Sequence, residues 1–182
     1  MIQSFKQRLA RIGRAMKANK VSVSLPFGLG GFEIVPNKAE QRAAWALYVE
    51  LTTRVASQQF NAESGLMREV LTSLYSLFSL TRQILRDSGP DVAYGPNSFG
   101  PLAIDILTKG IAPFTTKWHQ KLKIHESNNL NNLTALEHER SWEQFDQMRK
   151  ELEGLQKDMR RYADILSEIA GAKGVTRNQE KL

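Results

Sequence analysis

The chain has no cysteine. That excludes disulfide staples, thiolate metal sites and cysteine nucleophiles, and it suits a reducing compartment. No apolar run comes near the roughly 20 residues needed to cross a bilayer. The N-terminus also lacks the unbroken apolar core and small-residue cleavage site of a secretory signal. The expected location is the cytoplasm. Acid is missing from the start of the chain: the first 20 residues contain none, yet they carry Lys6, Arg8, Arg11, Arg14, Lys17 and Lys20. Residues 21–182 hold 19 basic and 19 acidic side chains, so the whole net charge of +6 belongs to one short segment. The overall basicity therefore describes an arm and not the body.

What is present reads as a globular helical protein. Its 182 residues suit one domain with a proper core, and 41% hydrophobic and 24% charged residues are ordinary for a globular protein. In the arm, Ile2, Phe5, Leu9, Ile12 and Met16 recur at steps of three and four. At about 100° per residue they form one narrow stripe, with the cations on the rest of the wheel. Residues 1–20 are thus expected to be a basic arm that forms an amphipathic helix of about 17 residues, weakened at Gly13 by roughly 1 kcal/mol.

Over residues 21–36, Val21 to Leu25 alternates apolar and polar, a cluster from Pro26 to Gly31 follows, and Phe32 to Val35 resumes the apolar pattern. Period-two patterning about glycines predicts a β-hairpin or an extended apolar loop. From residue 37 the signal turns helical. Asn37 with Glu40 is a capping pattern, and the first helix is expected to reach Phe60, burying Trp45, Tyr48, Leu51 and Val55. A second runs through Met67, Val70, Leu71, Leu74, Leu77, Phe78, Ile84 and Leu85 to a stop at Ser88-Gly89-Pro90.

A third helix opens at Pro101 with the stripe Leu107, Ile111, Phe114, Trp118 and Leu122, and Pro113 should kink or split it near Lys109-Gly110. Thr134 and Glu137 form a second capping box. The last helix buries Trp142, Phe145, Met148, Leu152, Leu155, Met159, Tyr162, Leu166 and Ile169 at near-heptad spacing. The expected fold is all-α: an antiparallel four-helix bundle over residues 37–170, with a long C-terminal helix and a polar, disordered tail from 171 to 182. At 1.5 Å per residue the last helix, of about 36 residues, should reach roughly 54 Å and overhang the bundle, or carry the N-terminal arm along its surplus length.

No constellation of residues in the sequence predicts a site of chemistry. Gly28-Leu29-Gly30-Gly31 has neither dinucleotide-binding spacing nor the Lys-Ser/Thr of a P-loop, and reads as a turn. His119 and His125 are six apart and face different sides of a helix, so with His138 they predict no metal site, and no cofactor is expected. An arginine closely followed by histidine, as in helical-bundle ribonucleases of the HEPN type, is absent: neither Arg82 nor Arg86 has such a partner. Ser98 has no nucleophile elbow and no identifiable base. Glu139, Glu143, Glu151 and Asp158 alternate with Lys and Arg and read as a solvated face.

Two clusters remain. One is the arm. The other is Lys117, Lys121 and His125 at i, i+4 and i+8 beside Trp118, which would either hold phosphate and stack a base or be a core tryptophan among solvated lysines. The expected function is a non-enzymatic interaction module or accessory subunit. Its arm would mediate homo-oligomerisation or docking to a larger protein partner. The alternative is a nucleic-acid-binding accessory protein, such as one serving a bacterial defence or mobile-element system, with the arm cations, Lys117, Lys121 and His125 on phosphates. A second alternative sets the arm on an anionic membrane surface.

Overall fold

The computed structural model describes residues 20–54, 57–61, 63–128 and 133–172. The amphipathic helix expected over the arm, and nearly all of the expected tail, fall outside them. The hairpin is present: β1 (Val21–Ser24) pairs antiparallel with β2 (Gly31–Ile34), with Val21 opposite Ile34 and Ser24 opposite Gly31. Alternation buries Val23 and Ile34 and leaves Ser22 and Glu33 outside. The glycine cluster is a turn, closed by the Leu25 N–H on the Gly30 carbonyl at 2.7 Å.

Phe27 sits at φ 60°, a left-handed conformation costly for a side-chain-bearing residue. Its ring covers Gly110, where an added Cβ would come within 2.6–2.9 Å of three Phe27 ring carbons. That contact holds the hairpin tip on the helices. Gly110→Ala is therefore expected to cost about 1–3 kcal/mol by displacing the ring. Chemical denaturation measures this, and an unchanged midpoint would show that the ring moves aside freely.

Helix α1 (Lys38–Thr52) begins with the expected capping box. The Asn37 side chain accepts from the Glu40 N–H at 2.9 Å, and the Glu40 carboxylate accepts from the Asn37 N–H at 2.8 Å. The helix ends well short of Phe60. Thr52 and Thr53 hydroxyls take the Tyr48 and Val49 carbonyls at 2.8 and 2.9 Å, a local competition that disfavours further turns. Its buried face is Ala39, Glu40, Ala43, Ala44, Leu47 and Leu51. The expected burial of Trp45 is corrected: it is 44% exposed, because the face of Ala43, Ala44, Leu47 and Leu51 is the one turned inward and the indole lies on the other.

Helix α2 (Met67–Ser88) stops at Gly89, at φ 71°, before a 3-10 turn Pro90–Val92. Helix α3 (Phe99–Asp105) runs through a π-helical turn, Ile106–Ile111, into α4 (Ala112–Ser127). The disruption expected from Pro113 takes this form. Proline lacks an N–H and crowds the carbonyl four residues back, and widening the turn sends the Ala112 N–H to Leu107 instead.

The expected long last helix is broken. Short α5 (Ala135–Arg140) and α6 (Phe145–Ala170) are separated by a corner at 141–144. With 26 residues α6 is about 39 Å long rather than 54 Å. Every apolar residue assigned to its stripe is buried. α1 packs along α6 and α2, α2 also meets α4, and α4 meets α6, closing a ring of four helices. The α2–α4 and α4–α6 pairs are antiparallel: Arg68 meets Glu126 while Tyr75 meets Thr115, and Lys117 meets Glu151 while Lys121 meets Gln144.

Two buried carboxylates join distant helix starts. Glu40 also accepts from the Phe99 N–H at 3.0 Å, at the head of α3. Glu139 accepts from the Met67 and Arg68 N–H groups at 2.7 and 3.1 Å, capping α2, whose own N-cap residue Leu66 has no side-chain acceptor. Glu139 is 2% exposed, which corrects its placement on a solvated face.

Tyr162 of α6 is 3% exposed, and its hydroxyl has no partner among the described residues. Burial pushes its pKa far above the ordinary phenol range. Removing that hydroxyl removes a desolvation cost, so Tyr162→Phe is expected to stabilise by about 1 kcal/mol. A lowered melting temperature would reveal a hydrogen bond that this packing does not contain.

Candidate functional site

The segment from Lys117 to His125 lies on α4, where the inward stripe sets Trp118 and Leu122 in the core and turns Lys117 and Lys121 toward α6. Trp118 is 0% exposed, so it offers no face for a base to stack on; it is the core tryptophan of the two readings. Its indole N–H donates to the Glu151 carboxylate at 3.0 Å, and Lys117 pairs with the other oxygen at 2.6 Å. The Lys117 ammonium also stands 4.7 Å from the Trp118 ring centre. The Lys117 hydrogen bond, helped by the Trp118 N–H, holds the Glu151 carboxyl below its ordinary range. Glu151 is thus a bridge between helices and not a free surface acid. Lys117 reaches a phosphate only by leaving it.

Lys121 is exposed and donates to the Gln144 side chain at 3.2 Å. One turn on, His125 folds against α5. Its Nε2 lies 2.7 Å from the His138 carbonyl, while the His138 Nε2 lies 2.8 Å from the His125 carbonyl. Carbonyls only accept, so both Nε2 atoms carry hydrogen. The imidazoles stack with centres 4.0 Å apart and planes within 10°. The Trp142 ring continues the stack at 5.5 Å from His125, and its edge meets Trp118 at 5.8 Å. Ser141 donates to the His138 carbonyl at 2.8 Å. These contacts make the corner that separates α5 from α6.

The corner leaves an open cleft of about 490 Å³, lined by Lys121, Ile124, His125 and Asn128 on one side and by Ser141, Trp142, Glu143 and Gln144 on the other. Ile124 is 56% exposed. The lining combines one cation, one carboxylate, amides and an apolar surface. It contains no hydroxyl presented to a base, because Ser141 is spent on a carbonyl. Ser98 likewise donates to the Gly95 carbonyl at 2.5 Å. His119 meets Tyr75 edge-on at 5.1 Å and lies 3.4 Å from Arg68, which pairs with Glu126 at 2.6 Å. Among the described residues no group of three metal-binding side chains comes together. No helix among them is long and apolar enough to cross a membrane.

The structure brings Lys121 and His125 to one cleft and sets Lys117 beside it in an ion pair. Lys20 pairs with Glu33 of the hairpin. Ile2, Phe5, Leu9, Ile12 and Met16, with Lys6, Arg8, Arg11, Arg14 and Lys17, lie outside the described residues. Sequence reasoning missed Trp142 and Ile124 as parts of one cleft, and His138 as the partner of His125. A contact between residues 125 and 138 joins two different helices and leaves no periodic signal. Comparison with protein-family models, curated proteins and solved structures finds no match for this chain.

Proposed function

We propose that the chain is a non-enzymatic helical interaction module whose basic N-terminal arm mediates self-assembly or docking to a partner protein. One observation carries the reading: all six excess charges precede β1, while the charges that follow balance. The body supports it, since several of its cations are engaged internally, Lys117 by Glu151, Arg68 by Glu126 and Arg54 by Glu50. A body so neutralised is a scaffold, and the arm is the part that holds the excess charge.

The density of six cations with no acid favours a second reading, nucleic-acid binding through the arm with Lys121 as an accessory contact. Six phosphate contacts would make binding fall with salt at a slope of about −5 on logarithmic axes.

The test compares the full chain with one starting at residue 21, by light scattering, by DNA and RNA retention across salt concentrations, and by binding to anionic vesicles. Loss of oligomer mass alone is the expected result. Loss of salt-sensitive nucleic-acid binding would select the second reading, and loss of vesicle binding a membrane role. If truncation alters none of them, the arm is not the functional element.

A further inference from the structure

The outer face of α1 differs from that of an ordinary surface helix. Lys38, Arg42, Trp45, Val49 and Thr52 are all exposed, in steps of four, three, four and three. Trp45 is 44% and Val49 39% exposed, and the Trp45 ring stacks on Tyr48 at 5.5 Å. The apolar row of the arm, taken from its end backwards as Met16, Ile12, Leu9, Phe5 and Ile2, has the same order of steps. Alternation of three and four is the spacing of a helix–helix seam.

The hairpin sets the alignment. Val21 is paired with Ile34, so the chain leaves β1 at Lys20 beside Val35, where the other leg leaves β2 for α1. Lys20 is held there by Glu33. Both legs therefore depart from one end of the hairpin, and the segments between hairpin and helix are of similar length. Laid antiparallel on α1, Met16 falls opposite Lys38, Ile12 opposite Arg42, Leu9 opposite Trp45, Phe5 opposite Val49 and Ile2 opposite Thr52. The match needs no gap along its whole length. Over this span a helix rises about 21 Å, the distance α1 covers from Lys38 to Thr52.

We infer that the arm of the same chain docks in cis on the outer face of α1, with Leu9 on Trp45 and Phe5 on Val49 and the hairpin as the bend between two antiparallel helices. This rests on the reading of the arm as the interaction element. It adds a resting place that the arm must leave before its apolar row can meet a partner. The stems of Lys38 and Arg42 cover the hairpin end of the seam while their charged heads stay in water.

Trp45 is the reporter, because Trp118 is buried and Trp142 only 8% exposed. Acrylamide quenching is measured on the full chain, the chain starting at residue 21 and full-length Leu9→Glu, each with a Trp45→Phe counterpart that isolates the Trp45 signal. The expected result is low quenching of Trp45 in the full chain at every protein concentration. Truncation and Leu9→Glu should raise quenching and shift the Trp45 emission to the red, while thermal unfolding of the Leu9→Glu body stays unchanged.

Equal quenching in all three would overturn the inference, as would shielding that disappears on dilution to the monomer, since the arm would then dock in trans. Should the truncated chain not fold, Leu9→Glu decides alone, and collapse of both folds would overturn the docked, separable arm. The two readings fail separately. Trp45 can ignore the arm while truncation still lowers oligomer mass, and Trp45 can respond to the arm while truncation changes no binding.

Discussion

Glu139→Ala lowers the stability of the fold by about 3 kcal/mol, with a melting temperature down by roughly 10 °C, in the outcome expected from its position. The buried Met67 N–H and the partly buried Arg68 N–H at the start of α2 lose their side-chain acceptor, and Leu66 at the N-cap offers none in its place. Hydrogen bonds to a charged acceptor each contribute about 1.5–3 kcal/mol, and an orphaned buried donor costs about as much as the bond it lost. Glu139→Gln should lose less, because its amide keeps one acceptor oxygen and turns an N–H₂ toward the second donor. Denaturant titration of the three proteins checks the order.

The pH dependence of this residue follows from its burial. Desolvation raises the Glu139 pKa, outweighing the Met67 and Arg68 N–H groups that pull it down. A carboxyl whose folded value lies above its unfolded value takes up protons on folding. Its contribution to stability is therefore greatest in acid and declines as pH rises from the unfolded value through the folded one. The stability advantage of the native protein over Glu139→Gln should shrink across that window. An advantage that grows with pH would mean that the hydrogen bonds, and not burial, dominate the site.

Trp118→Ala is expected to cost about 4 kcal/mol, the range for emptying a fully buried aromatic site. The ring is 0% exposed, meets Trp142 edge-on and Phe114 at 6.4 Å, and donates to Glu151. Trp118→Phe should cost about 2 kcal/mol, from lost volume and the lost N–H donor. Lys117→Met, which removes the partly exposed end of the same bridge, should change stability by only about 0.5 kcal/mol. Equilibrium unfolding orders the three. Near-equality of Trp118→Ala and Lys117→Met would show the bridge, rather than the ring, to be the stabilising contact.

The legible parts of the fold are those governed by local rules. The stripe from Trp142 to Ile169 is buried residue for residue, since a 3.6-residue period fixes which side chains share a face whatever lies opposite. Both capping boxes are present for the same reason: Asn37 with Glu40, and Thr134 with Glu137, act within one turn. The alternation around Val23 and Ile34 predicted a hairpin or an extended loop, of which the chain forms the hairpin, and Pro113 marked where the third helix must change its winding.

Errors arose where a neighbour distant in sequence decides. α1 has two apolar faces, one of alanines with Leu47 and Leu51 and one with Trp45 and Val49, and only the approach of α6 and α2 chooses between them. Periodicity runs unbroken across the corner at 141–144, so the reciprocal His125–His138 contact that makes the corner was invisible. Glu139 sits in a run of charges like any surface acid, and the helix start it caps lies about seventy residues earlier in the chain.

The order of residues was enough to determine the helical class, the alternating segment that becomes the hairpin, the inward faces of α2, α4 and α6, and the confinement of net charge to the first 20 residues. These depend on backbone periodicity, capping and charge, which act over a few residues or need no geometry. Which face of α1 turns outward, where the last helix bends, and which acids are buried were decided by packing between helices. Burial is a property of what lies across the interface, and that partner is brought into place only when the chain has folded.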